Sequence, residues 1–162
     1  MMAGDILYHE FMGRVVDVGS GSTLKKGQSV VVSFVISCGK CFFCARQQFS
    51  ACDNFNPAEK QDMSEPLYGH AMLGLFVDSH LTGGYPTGHA EYVRVPFSDV
   101  GPIVVPDGLD DDQVLFLSDT LPTGWLAAKK AEIEPGDTVA VWAAGRSACM
   151  RSSPRFCRDR AR

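Results

Sequence analysis

The 162-residue sequence contains no apolar run approaching the roughly 18 residues that a membrane-crossing helix needs, which argues against a membrane-embedded protein. Its opening, MMAGDILYHE, has neither the positive start nor the apolar stretch of a secretory signal, so a soluble cytoplasmic protein is expected. No internal repeat is visible, which sets aside solenoids and propellers. Positive charge is scarce over most of the chain. Residues 146–162 hold six arginines and one acid, a charge of +5, and everything before them sums to −9, so the net charge is −4. An acidic body of this kind opposes a nucleic-acid-binding core.

What is present begins with hydrophobic content: 45% of residues are apolar, enough for one domain with a genuine core. Six cysteines occur, and four of them fall within fifteen residues as Cys38, Cys41, Cys44 and Cys52, spaced C-x2-C-x2-C-x7-C. Thiolates two residues apart can turn toward one point, and four of them satisfy the tetrahedral preference of zinc. Glycine at position 39 permits the tight turn, and Lys40 moderates the charge of a four-thiolate site. An iron–sulfur cluster uses similar spacing, and free or disulfide-bonded cysteines are the plainer alternative. Zinc is the favoured ion, and structural zinc supplies on the order of 10 kcal/mol to folding, enough to hold a lobe with few apolar residues. Cys149 and Cys157 stand in the arginine-rich tail without a partner motif.

Patterning places β structure around this lobe. Residues 11–18 and 30–36 are valine-rich and separated by GSGS and KKGQ, reading as strand, turn, strand. Residues 53–88 read as a long, partly ordered excursion. Strand character returns at 90–95 and 103–105, each closed by a proline. Asp110, Asp111 and Asp112 suit a helix start and precede Val114, Leu115 and Leu117. A second helix is expected over 123–131, after Pro122. Residues 138–142 follow a turn and read as a buried strand. Beyond them no apolar face is sustained, and a disordered tail is expected.

The segments SCGKCFFC, HEFMGRVVDVGSG, HAEYVRVP and LSDTLPTG occur in an order that resembles zinc-containing medium-chain alcohol dehydrogenases, particularly the glutathione-independent formaldehyde dehydrogenase branch, over residues 4 to about 142. The resemblance implies a mainly β, α+β fold. Residues 1–135 would be a GroES-like catalytic domain, truncated at its N-terminus and carrying the zinc lobe at 38–52. Residues 136–145 would open a Rossmann domain with only its first strand, and 146–162 would be an aberrant tail, read as an out-of-frame or mis-spliced extension.

It further implies two zincs per complete subunit: a structural ion at the four cysteines, and a catalytic ion held by a cysteine, a histidine and an aspartate. His9 matches that histidine, Glu10 the adjacent acid near the metal, Asp119 the aspartate, and Thr123 a residue near the nicotinamide. A neutral imidazole and a carboxylate leave zinc Lewis-acidic, which suits deprotonation of an alcohol or hydrated aldehyde before hydride leaves for NAD. His70, His80 and His89 are not expected to be ligands.

Three departures temper the transfer. No cysteine precedes His9, Tyr8 stands where the family has glycine although tyrosine resists positive φ, and WAAGRSACM carries Gly145 alone in place of G-x-G-x-x-G. NAD binding is therefore not expected in this chain. Its expected competence is zinc binding, with His9 and Asp119 as an incomplete second site. The rival expectation is a non-catalytic zinc module acting through protein contacts. No nucleic-acid or membrane partner is expected, and the family resembled is homo-oligomeric and acts on small alcohols or hydrated aldehydes.

Overall fold

A computed structural model of the chain describes residues 3–55, 64–70, 72–76 and 79–140. Three strands, β1 (Phe11–Arg14), β2 (Ser29–Val32) and β3 (Pro102–Val104), form an antiparallel sheet in the order β1-β2-β3. Phe11 pairs with Val32 and Arg14 with Ser29, while Val30 lies opposite Val104 on the other side of β2. β2 is central, and its β-branched Val30, Val31 and Val32 are all buried. Pro102 begins β3, the position in a strand where a missing N–H costs least.

The expected strands are shorter than the valine pattern suggested. After Arg14 the chain makes one more reciprocal tie: Val15 N–H donates to the Gln28 carbonyl at 2.8 Å, and Gly27 N–H donates to Val15 at 2.7 Å. It then leaves the sheet, and Val16 is 60% exposed. Residues 34–36 pair with the long excursion instead of extending β2. Phe76 N–H donates to the Phe34 carbonyl at 2.8 Å, and Ile36 N–H to Gly74 at 3.1 Å.

The strand expected at 90–95 is not formed. Val93 and Val95 still pack against the core. A cleft of about 1000 Å³, lined by residues of 11–19 on one side and 90–97 on the other, runs between this segment and the β1 region. Alternating valines are thus half-buried through their side chains without a ladder.

The core is Phe11, Val30, Val32, Ile36 and Phe76, with the Phe11 and Phe76 rings edge to face at 5.3 Å between centroids. Helices lie outside the sheet: α1 (Glu65–Tyr68), α2 (Asp111–Val114) and α3 (Thr120–Lys130). At α2 the expected acidic start is present. The Gln113 side chain accepts from Asp110 N–H at 2.9 Å, and Gln113 N–H donates back to the Asp110 carbonyl at 3.0 Å. α3 begins three residues before the expected 123, with Pro122 in its first turn and Lys129 and Lys130 in its last, where they favour the helix dipole.

Thr138, Val139 and Ala140 are exposed and form no strand, because no neighbouring segment among the described residues supplies a ladder there. The remainder of that expected strand, Gly145, Cys149, Cys157 and the arginine-rich tail lie outside the described residues. Among the described residues, no helix is long and apolar enough to cross a membrane.

Candidate metal centre

The lobe that follows residues 34–36 is built by turns. Gly39 sits at φ 75°, the left-handed region, and a Cβ there would meet Val100 Cγ2 at 2.8 Å, so both the turn and the close approach require glycine. Short 3-10 turns at Cys44–Arg46 and Phe49–Ala51 bring the chain back under Cys38. Gln47, at φ 61°, ends the first of them, its N–H donating to the Cys44 carbonyl at 2.9 Å.

Four sulfurs converge as a result. Cys38, Cys44 and Cys52 are buried, Cys41 is half-buried, and all four are free thiols whose Sγ atoms lie within 4.8 Å of one another. A tetrahedron with zinc–sulfur bonds of about 2.3 Å has sulfur–sulfur edges of about 3.8 Å, and the Cys38–Cys44 separation is 4.0 Å. Backbone N–H groups point at the same atoms. Lys40 and Cys41 donate to Cys38 Sγ at 3.4 and 3.3 Å, Cys44 donates to Cys41 Sγ at 3.5 Å, and Cys38 donates to Cys52 Sγ at 3.4 Å. Donors aimed at sulfur stabilise thiolates, which is what a cation requires of its ligands.

The electrostatics set Cys38 apart from Cys44 and Cys52. Burial disfavours the Cys38 thiolate, but the N–H donors of Lys40 and Cys41, together with side-chain bonds from Asn54 and Cys52, outweigh it and bring the thiol down to about 6. Burial, reinforced by the Cys41 side chain, pushes Cys44 up to about 12. Burial likewise raises Cys52. One anionic sulfur among buried thiols is a half-prepared site: a divalent cation supplies the charge that lets the others ionise. The four residues predicted from spacing are thus brought together, and the donor set fits zinc.

The second predicted cluster is assembled from opposite ends of the chain. His9 Nε2 lies 3.1 Å from Asp119 Oδ2, across 110 positions. Asp119 Oδ1 accepts from the Thr123 hydroxyl at 2.6 Å. Glu10 Oε1 accepts from Thr120 N–H at 3.0 Å and also from the Thr120 hydroxyl. The His9 ring packs edge-on to Phe34. Among the described residues, the four cysteines are the one group of three or more donors that could hold an ion, and His9 with Asp119 remains a pair.

Tyr8 adopts φ 84°, so the turn expected of glycine is made by tyrosine. Such a conformation costs an L-residue about 1–2 kcal/mol. Its ring stacks on His89 at 4.6 Å and 7°, and its carbonyl accepts from Gly88 N–H at 2.8 Å, contacts that offset the strain. His80 reaches both carboxylate oxygens of Asp5 at 3.0 Å, and His70 Nδ1 lies 2.9 Å from the Tyr68 carbonyl. Thr120 was not foreseen as part of this network. Its only mark in the sequence is a hydroxyl residue directly after Asp119, a pattern that local periodicity does not register.

Comparison with known proteins gives the family. The chain is 38% identical over 143 residues to a zinc-type alcohol dehydrogenase-like protein of Schizosaccharomyces pombe, covering 88% of this chain and 33% of that one. It is 35% identical over 150 residues to the glutathione-independent formaldehyde dehydrogenase of Bacillus subtilis, again covering 88% of this chain and 33% of the relative. Among solved structures it superposes on the alcohol dehydrogenase of Thermus sp. ATN1 with a TM-score of 0.72 at 32% identity, over 91% of this chain and 38% of the other. The chain spans about a third of the length of these relatives. Residues 2–107, which carry the sheet and the four-cysteine lobe, match the alcohol dehydrogenase GroES-like domain, and the chain belongs to that family.

Proposed function

We propose that this chain binds one zinc ion at Cys38, Cys41, Cys44 and Cys52 as a structural centre, and that it is the catalytic-domain portion of an NAD-linked dehydrogenase acting on a small alcohol or hydrated aldehyde. The observation that carries the reading is the convergence of four free sulfurs within 4.8 Å, each with its place held by the fold. The likeness to a formaldehyde dehydrogenase supports the hydrated-aldehyde class of substrate.

His9 and Asp119 are the residues that would hold a second zinc, which would supply a Lewis acid to polarise the substrate oxygen. Asp119 is oriented for this by Thr123, whose hydroxyl donates to the carboxylate and which is also the residue that would lie near a bound nicotinamide. The chain by itself is not expected to bind NAD or to turn over.

Metal analysis of the purified chain tests the reading. One tightly held zinc per chain is expected, lost on substitution of Cys44 by serine, with any second equivalent bound weakly and lost in His9→Ala. Iron in place of zinc, or no metal at all, contradicts it. A second reading, a zinc module acting through protein contacts, is favoured by Trp125 and Leu126, each 50% exposed on α3. A concentration-dependent dimer broken by Trp125→Ala would support that alternative.

A further inference from the structure

We infer that Glu10 is a positioning residue: it caps helix α3 from outside the helix and so frees the Asp119 carboxylate to face His9. This rests on the reading of His9 and Asp119 as a metal-binding pair.

An aspartate at the N-cap ordinarily turns its carboxylate back to accept an N–H from the first turn of its own helix. Asp119 is the N-cap of α3 and makes no such bond. Its Oδ1 takes the Thr123 hydroxyl and its Oδ2 lies against His9, so both oxygens are committed away from the backbone. The capping duty is carried by Glu10, 110 positions away, whose Oε1 accepts both the N–H and the hydroxyl of Thr120, the first residue of α3. A carboxylate there also complements the positive end of the helix dipole. Thr120 is buried at 7% exposure, so leaving its two donors unmet would cost more than at the surface.

Glu10 follows His9 directly in the chain. One dipeptide therefore supplies a donor to the cluster and a clamp on the helix that delivers the other donor. Glu10 acts through Thr120 and Asp119 and does not itself have to touch the ion. Groups that orient a ligand from behind in this way typically change metal affinity by about 10–100-fold when removed.

The test uses the full chain loaded with one zinc, titrated calorimetrically with a second equivalent in wild type, Glu10→Ala, Glu10→Gln and Thr120→Val. Glutamine keeps an acceptor oxygen for Thr120 but carries no charge. The expected result is second-zinc affinity about 10–100-fold weaker in Glu10→Ala, within about threefold of wild type in Glu10→Gln, and intermediate in Thr120→Val, with the four-cysteine ion unaffected. Glu10→Gln as damaging as Glu10→Ala, or Glu10→Ala without effect, would overturn the proposal. If the wild type takes up no second zinc, the metal-pair reading fails on its own. The clamp is then judged by hydrogen exchange at the Thr120 and Thr123 amides of the one-zinc chain, which should quicken about tenfold in Glu10→Ala and not in Glu10→Gln. Equal exchange in all variants contradicts it.

Discussion

Cys38, Cys44 and Cys52, of one chemical type, are placed in different protonation states by their surroundings. Cys38 receives two backbone N–H donors and is brought to about 6, whereas burial holds Cys44 near 12 and raises Cys52 as well. At neutral pH the metal-free lobe therefore already has the Cys38 thiolate, while Cys44 and Cys52 still carry their protons. Zinc must displace those protons, so its binding draws strength from rising pH. Between pH 6.5 and 8 the apparent affinity should climb at least about 100-fold per pH unit, because Cys44 and Cys52 alone release two protons per ion. Competition titrations against a chelator at several pH values measure that slope. A pH-independent affinity would mean the thiols are already ionised, contrary to the burial seen here.

At the scale of elements, the lobe makes a tight contact with the segment just before β3. Gly39 lies against Val100, close enough that an added methyl would sit 2.8 Å from Cγ2, and its φ of 75° is itself costly for any other residue. Gly39→Ala should destabilise the zinc-loaded chain by about 1–3 kcal/mol, read by urea unfolding. Adding Val100→Ala should recover the steric part and leave the backbone part of about 1 kcal/mol. An undiminished stability in Gly39→Ala would show that the turn is not built as described.

This contact also marks how far the sequence could be read. The C-x2-C-x2-C-x7-C spacing exposed the metal lobe because its ligands are local, and the β-branched run at 30–32 exposed the central strand because strand propensity is local too, whereas β1 itself holds no valine and the valines after Arg14 lie past its end. The segment at 90–95 alternates apolar and polar residues and forms no strand, since a ladder depends on the distance to a neighbouring backbone and not on its own side chains. α3 starts three residues ahead of its local sequence signal for a related reason: its first N–H is met by Glu10, 110 positions away in the chain. Pairing of His9 with Asp119 was legible through resemblance alone, with no trace in spacing.

For the molecule as a whole, the small sheet buries a modest core, and the thiolate lobe stands beside it with few apolar side chains of its own. On the proposed reading a cation that neutralises buried sulfur would hold the lobe together, and Glu10, just ahead of β1, would hold the start of α3 where Asp119 meets His9. The central claim is that the four sulfurs share a single tetrahedral ion. X-ray absorption at the zinc edge of the one-zinc chain tests it most directly. Four sulfur neighbours at about 2.3 Å, with no nitrogen or oxygen in the first shell, is the predicted result. Nitrogen or oxygen at about 2.0 Å in place of any of the four sulfurs would contradict it.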